Sequence, residues 1–98
     1  MLLIRDIMYC KPGKVRPMVE KMLKMAKLGE KNGMGKMRVL TDVSGERFWT
    51  CVAEIETPSL EAFMSMGDSG DMKEFEEIMK GYHDLVDHGR REIYTIEG

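Results

Sequence analysis

The chain has 98 residues, 43% of them hydrophobic and 33% charged, and a net charge of −2; that length and balance predict one domain, 1–98, with a single core, and exclude a disordered chain. No apolar run approaches the ~20 residues of a membrane helix, and no membrane is expected as partner. Charge is uneven, ten Lys/Arg against three Asp/Glu in residues 1–40 and five against fourteen in 41–98, yet the basic half has Tyr9 as its one aromatic, so it offers no base-stacking platform and no nucleic acid is expected as partner.

In chain order, Leu2 to Cys10 reads as a strand with apolar residues on both faces, interrupted by Arg5 on one and Asp6 on the other. No basic region precedes it, so it is read as a strand and not a signal peptide, and a cytoplasmic location is expected. Lys11-Pro12-Gly13-Lys14 ends the strand, because proline removes a ladder donor and glycine permits the turn. The first helix is expected over 14–31, with Val15, Met18, Val19, Met22, Met25 and Ala26 as its apolar stripe and Asn32-Gly33 as its stop. A second strand follows over Met37 to Val43. Ser44-Gly45 predicts a tight hairpin turn into Gly45 to Thr57, a β-rich run that carries the sole tryptophan. Both faces of that run are mostly apolar, so it reads as the central strand of the sheet and needs cover on two sides.

Thr57 as N-cap and Pro58 at the first helical position predict a short helix with Leu60, Phe63 and Met64 on its buried side. Gly67 to Gly70 breaks the pattern, and Asp71 with Glu74 resembles a capping box opening a helix to Asp87. His88-Gly89 ends it, and Arg91 to Ile96 alternates as a last strand. The order is β-α-β-β-α-β with its second helical connection split. That predicts an α+β, ferredoxin-like fold: a four-stranded antiparallel sheet with helices on one face. The first and third helices then lie side by side, a lysine-rich flank against a glutamate-rich one. One layer of helices covers one sheet face. The other face, too apolar for a monomer to expose, predicts a homodimer through that face.

The strand ending in Lys11-Pro12-Gly13-Lys14, the hairpin at Ser44-Gly45 and the closing Gly89-Arg90-Arg91-Glu92-Ile93-Tyr94 resemble the dimeric α/β-barrel superfamily, especially its NIPSNAP-like and antibiotic-biosynthesis-monooxygenase-like members. The resemblance implies two sheets packed face to face into a barrel, each protomer able to enclose a small pocket. Members include cofactor-free monooxygenases, haem-degrading enzymes, isomerases of small ring compounds and proteins with no known activity. The haem-degrading relatives carry an asparagine on the first strand, and residues 2–10 contain none. That departs from the haem-degrading pattern, and no cofactor is expected.

The chemical inventory is thin. Cys10 and Cys51 read as reduced thiols, Cys51 buried, and with no CxxC and no histidine at ligand spacing no metal is expected. Eleven methionines at mostly helical spacing read as adaptable core filler. His88 is expected at a helix end, favourably facing the negative end of the dipole, and His83 beside the apolar stripe of the third helix. Glu54 falls within the central strand on the face of Phe48, Thr50 and Val52, where a buried carboxylate needs a partner, and Arg5 on the neighbouring strand is best able to reach it. The pocket candidates are Arg5, Tyr9, Phe48, Thr50, Glu54 and His83. Two functions fit: a dimeric barrel protein that binds a small apolar molecule or serves a non-catalytic role, or a cofactor-independent monooxygenase or isomerase acting on a small aromatic or apolar substrate.

Overall fold

A computed structural model describes residues 1–33, 35–65 and 72–98. The elements run β1 (Leu2–Cys10), α1 (Val15–Lys31), β2 (Met37–Thr41), β3 (Thr50–Thr57), α2 (Leu60–Ser65), α3 (Met72–Met79), α4 (Tyr82–Leu85) and β4 (Val86–Thr95). The four strands form one antiparallel sheet in the order β2-β3-β1-β4. This is the α+β, ferredoxin-like arrangement expected from the sequence. Among the described residues no helix is long and apolar enough to cross a membrane.

One face of the sheet carries the core. Met8, Cys10, Cys51 and Ala53 pack against Met18, Val19 and Met22 of α1, with Met37, Val39, Met79 and Tyr82 around them. The α1 stripe is buried because its apolar residues recur at three and four residue spacing, which holds them on one side of the helix. Asn32 and Gly33 close it, Gly33 in the left-handed conformation at φ 74°. The helical flanks meet as their charges predict: Lys31 lies 3.8 Å from Glu74. Lys21 reaches further, donating from Nζ to the carbonyls of Ile78 and Lys80 at the end of α3, where a cation meets unpaired carbonyls and the negative end of the helix.

Four expectations are corrected. β2 ends at Thr41, and β3 begins at Thr50, so residues 42–49 form a loop in place of a tight turn at Ser44-Gly45. Asp42 closes the ladder by accepting from the Thr50 N–H through Oδ1 at 2.8 Å, and Trp49 takes a left-handed φ of 62° that stops the strand. The second correction is at α2, where Ser59 is the cap: its Oγ accepts from the Ala62 N–H at 3.1 Å, while Thr57 stays in β3. The third is the long helix to Asp87. Gly81, with φ 84°, separates α3 from the single turn of α4, since glycine alone enters that conformation freely. In consequence β4 begins at Val86, and His88 and Gly89 belong to the strand, not to a helix end. The break at Gly67–Gly70 and the cap at Asp71 fall outside the described residues. Gly89 is itself required by the sheet, since a Cβ there would stand 2.8 Å from the Ile7 carbonyl oxygen.

The two thiols give the fold an alkaline limit. Burial pushes the Cys51 thiol up to about 12, with neighbouring Cys10 adding to the shift, and burial also raises Cys10 and Tyr82. These groups keep their protons in the folded chain where the unfolded chain has released them, so the unfolded state binds fewer protons and stability falls as pH rises. The stabilisation is whole below the ordinary thiol range of about 8.5 and is lost toward pH 12. The melting temperature is expected to fall steadily above about pH 9, and Cys51 to resist a thiol reagent at neutral pH until the chain is denatured. A flat alkaline profile with rapid native labelling of Cys51 would contradict this.

Candidate functional site

Alternation along the strands settles what the other sheet face carries. With Met8, Cys51 and Ala53 turned to the helices, Leu3, Arg5, Ile7 and Tyr9 of β1, Thr50, Val52 and Glu54 of β3, and Arg38 and Leu40 of β2 point the opposite way. From β4 this open face receives His88, Arg90, Glu92 and Tyr94.

Register brings four of these residues into a row across all four strands. Arg38 is opposite Glu54, Glu54 opposite Arg5, and Arg5 opposite Glu92. Their signs alternate, and they are bonded along the row. Arg38 Nη2 donates to Glu54 Oε1 at 2.6 Å, Arg5 Nε lies 2.8 Å from Glu54 Oε2, and Arg5 Nη1 lies 3.6 Å from Glu92 Oε1. The Arg5 Nε contact is an ion pair off the N–H direction, not an aligned hydrogen bond. Glu54 is thus engaged at both oxygens, and its side chain is only 8% exposed beneath arginines that are 33% and 66% exposed. Arg90 continues the network to Glu92 at 3.2 Å and to Glu46 at 3.7 Å. The Tyr94 hydroxyl donates to Glu92 Oε1 at 2.9 Å, and that bond raises the phenol pKa.

An apolar row, Leu40, Val52 and Ile7, lies beside the charged one, and a third row sets Thr50, Tyr9 and His88 side by side. Tyr9 and His88 rings are 4.9 Å apart, and the Arg47 guanidinium stands 4.8 Å above the Tyr9 ring. Near the charged row an open depression of about 240 Å3 is lined by Leu3, Lys36, Arg38, Glu54 and Glu56. Among the described residues no group of three His, Cys, Asp or Glu could hold a metal ion.

Of the sequence candidates, Arg5, Tyr9, Thr50 and Glu54 share this face. His83 does not join them: it sits exposed in the single turn of α4, edge-on to Tyr82 at 5.3 Å, in the helical layer. Phe48 lies in the 42–49 loop and not in the strand, and it is 83% exposed. Sequence reasoning missed Arg38, Glu92, Arg47 and His88. On the helix side, Arg91 forms a separate pair with Asp6 at 2.6 and 3.2 Å, a bond that raises its pKa further, and stands 5.0 Å over Phe63.

No protein-family model and no curated protein matches the sequence. Solved structures do. An uncharacterised NIPSNAP domain protein of Burkholderia xenovorans superposes with a TM-score of 0.77 at 16% identity, over 100% of this chain and 96% of that one. The fold is the NIPSNAP-like one. A second NIPSNAP-like domain protein of that organism gives 0.81 at 13% identity, covering 99% and 85% of the two chains. A candidate antibiotic biosynthesis monooxygenase of Nitrosomonas europaea gives 0.76 at 11% identity over 100% of both. These neighbours match the resemblance drawn from the sequence, and at such identities they establish the NIPSNAP-like fold alone.

Proposed function

We propose that the chain acts as a homodimer whose open sheet faces pack into an α/β barrel, and that the barrel holds a small apolar molecule with the Arg38–Glu54–Arg5 cluster at its polar end. The observation that carries this is Glu54, a carboxylate almost fully buried on a sheet face that has no second layer among the described residues. A buried charge held by two cations is costly to build and fits a wall that faces another protein layer. Area points the same way. The chain exposes 6775 Å2, about 1,000 Å2 more than the roughly 5,700 Å2 usual for a monomer of its mass, and one partner in a standard interface loses about 800 Å2. The charged row also suits a two-fold axis, because reversing Arg38, Glu54, Arg5, Glu92 sets each charge against its opposite. In the apolar row, Leu40 and the half-buried Val52 supply surface for an apolar ligand, backed by the buried Ile7. The cytoplasmic setting belongs to the same proposal, and the free, buried cysteines suit a reducing compartment.

The test is titration with the neutral apolar probe N-phenyl-1-naphthylamine. Saturable fluorescence is expected, weakened about tenfold, or roughly 1.4 kcal/mol, in Glu54→Gln. The variant should melt within about 8 °C of the parent, since Gln keeps the shape and one acceptor. Absence of saturable binding, or equal affinity in the variant, would contradict the ligand reading.

A second reading, a cofactor-independent monooxygenase or isomerase acting on a small aromatic or apolar substrate, is favoured by Tyr9 and His88 meeting on the same face at 4.9 Å. A phenol beside an imidazole can move a proton to or from a bound molecule. Turnover that is lost in His88→Gln and Tyr9→Phe while probe binding persists distinguishes this reading from the first.

A further inference from the structure

We propose that the ligand site is shared between two copies of the chain: the depression on one sheet is roofed by Tyr94 of the partner. The inference rests on the barrel reading above and adds which residues of the two copies meet. A two-fold axis that lays the charged row against its own reverse runs between the sheets, along the strands and midway between β3 and β1. Rotation about it keeps each residue's height along the strands and exchanges the two edges of the sheet. Every cross-strand row then faces the same row reversed, and β4 of one copy lies over β2 of the other. The turn of about 30° between packed sheets moves an edge strand by less than the spacing between rows, so the pairing of rows survives it.

The row next to the charged one is Lys36, Glu56, Leu3 and Tyr94. Leu3 pairs with Glu56 on one side and Tyr94 on the other, and Lys36, one residue before the Met37–Ile55 pair, falls beside Glu56. Reversal sets the partner's Tyr94 against Lys36 and the partner's Glu92 against Arg38. Both meetings suit what the single chain leaves open. Tyr94 is exposed at the sheet edge, its hydroxyl held by Glu92, and Lys36 is exposed at the other edge; a phenol ring attracts an ammonium over its face. Arg38 is exposed as well and uses one nitrogen on Glu54, which leaves donors for a second carboxylate. At the middle of the row the match fails, because Leu3 meets the partner's Glu56, an apolar side chain against a carboxylate. The depression of about 240 Å3 lies at that gap, between Leu3, Lys36, Arg38, Glu54 and Glu56. On one chain it is open to solvent, whereas a ligand pocket encloses most of its occupant. Facing sheets stand about 10 Å apart, and the partner's Tyr94, the large side chain over this row, supplies the missing wall.

The test is titration with N-phenyl-1-naphthylamine of dimers whose mass in solution is checked first. Tyr94→Ala removes both roofs and Leu3→Trp fills both depressions, and each is expected to weaken binding of the probe by about tenfold or more. The two variants, co-expressed with different affinity tags and isolated as the mixed dimer, are then expected to bind with the affinity of the unaltered protein at about half its sites. One pocket of that dimer has lost both walls. The other joins the intact depression of the Tyr94→Ala chain to the intact Tyr94 of the Leu3→Trp chain. A mixed dimer that binds as weakly as either variant, or a Tyr94→Ala dimer that binds as the unaltered protein does, overturns the proposal. An unaltered dimer that binds no probe sinks the ligand reading, and a single-chain mass sinks the barrel, each taking this inference with it. Should Leu3→Trp not fold, Glu56→Trp fills the same depression from an exposed position.

Discussion

Replacing Arg5 and Arg38 together by alanine is expected to destabilise the chain by about 2–4 kcal/mol, below or within the 3–5 kcal/mol typical of stripping a buried charge of its partner. The discount comes from exposure: both arginines are part-open to water, and truncating them lets solvent reach the carboxylate. The cost arises because Glu54 is held at both oxygens by these two groups and, among the described residues, has no other cation within bonding distance. Arg5→Ala should account for more of it than Arg38→Ala, since Arg5 lies on a central strand and also pairs with Glu92, whereas Arg38 is on the sheet edge and more exposed. Adding Glu54→Leu to the double variant should recover most of the loss, because removing every partner of a buried charge is far cheaper than orphaning one. Chemical denaturation at a fixed protein concentration measures all of these. A double variant as stable as the parent would show that Glu54 is solvated after all.

Met18→Ala should cost about 2–5 kcal/mol, the range for emptying a fully buried large side chain. Met18 is 0% exposed and lies where α1 meets Met8 and Cys51, so its loss opens a cavity bounded by strand residues that cannot collapse into it. Met18→Leu conserves volume and should cost less than about 1.5 kcal/mol, and Leu23→Ala, on the exposed side of the same helix, should be nearly neutral. Equal melting for Met18→Ala and Leu23→Ala would contradict the placement of the helix.

Both effects rest on faces, and the faces were legible in the sequence only in part. Alternation put Glu54 opposite Cys51 and Ala53, and Arg5 within its reach, because period-two patterning decides a face without any knowledge of loops. Arg38 was lost through the turn. A two-residue turn at Ser44-Gly45 would set Arg38 opposite Cys51, inside the core, and send Met37 and Val39 outward; the observed register instead pairs Arg38 with Glu54 and Val39 with Ala53. Since a slip of one residue exchanges faces, that burial of an arginine was the available signal against the tight turn. His88 left no such trace. Over Val86 to Arg90 the charged Asp87 and Arg90 fall on opposite faces of β4, so no alternation announces that the strand begins before Arg91, and the helical period of Phe75 to Val86 runs over Gly81, whose left-handed φ ends α3. His83 was placed near the site by the same misreading of one helix for two.

The central claim, that the open face is closed by a second copy, is tested most directly by the mass of the native protein in solution, measured by light scattering at about 10 μM, where an interface of this size holds. Twice the 11.3 kDa chain mass is predicted for the parent, falling to a single chain when Val52→Glu places a charge in the apolar row of the sheet face. A parent that runs as a single chain, or a Val52→Glu variant that folds and remains a dimer, would contradict it.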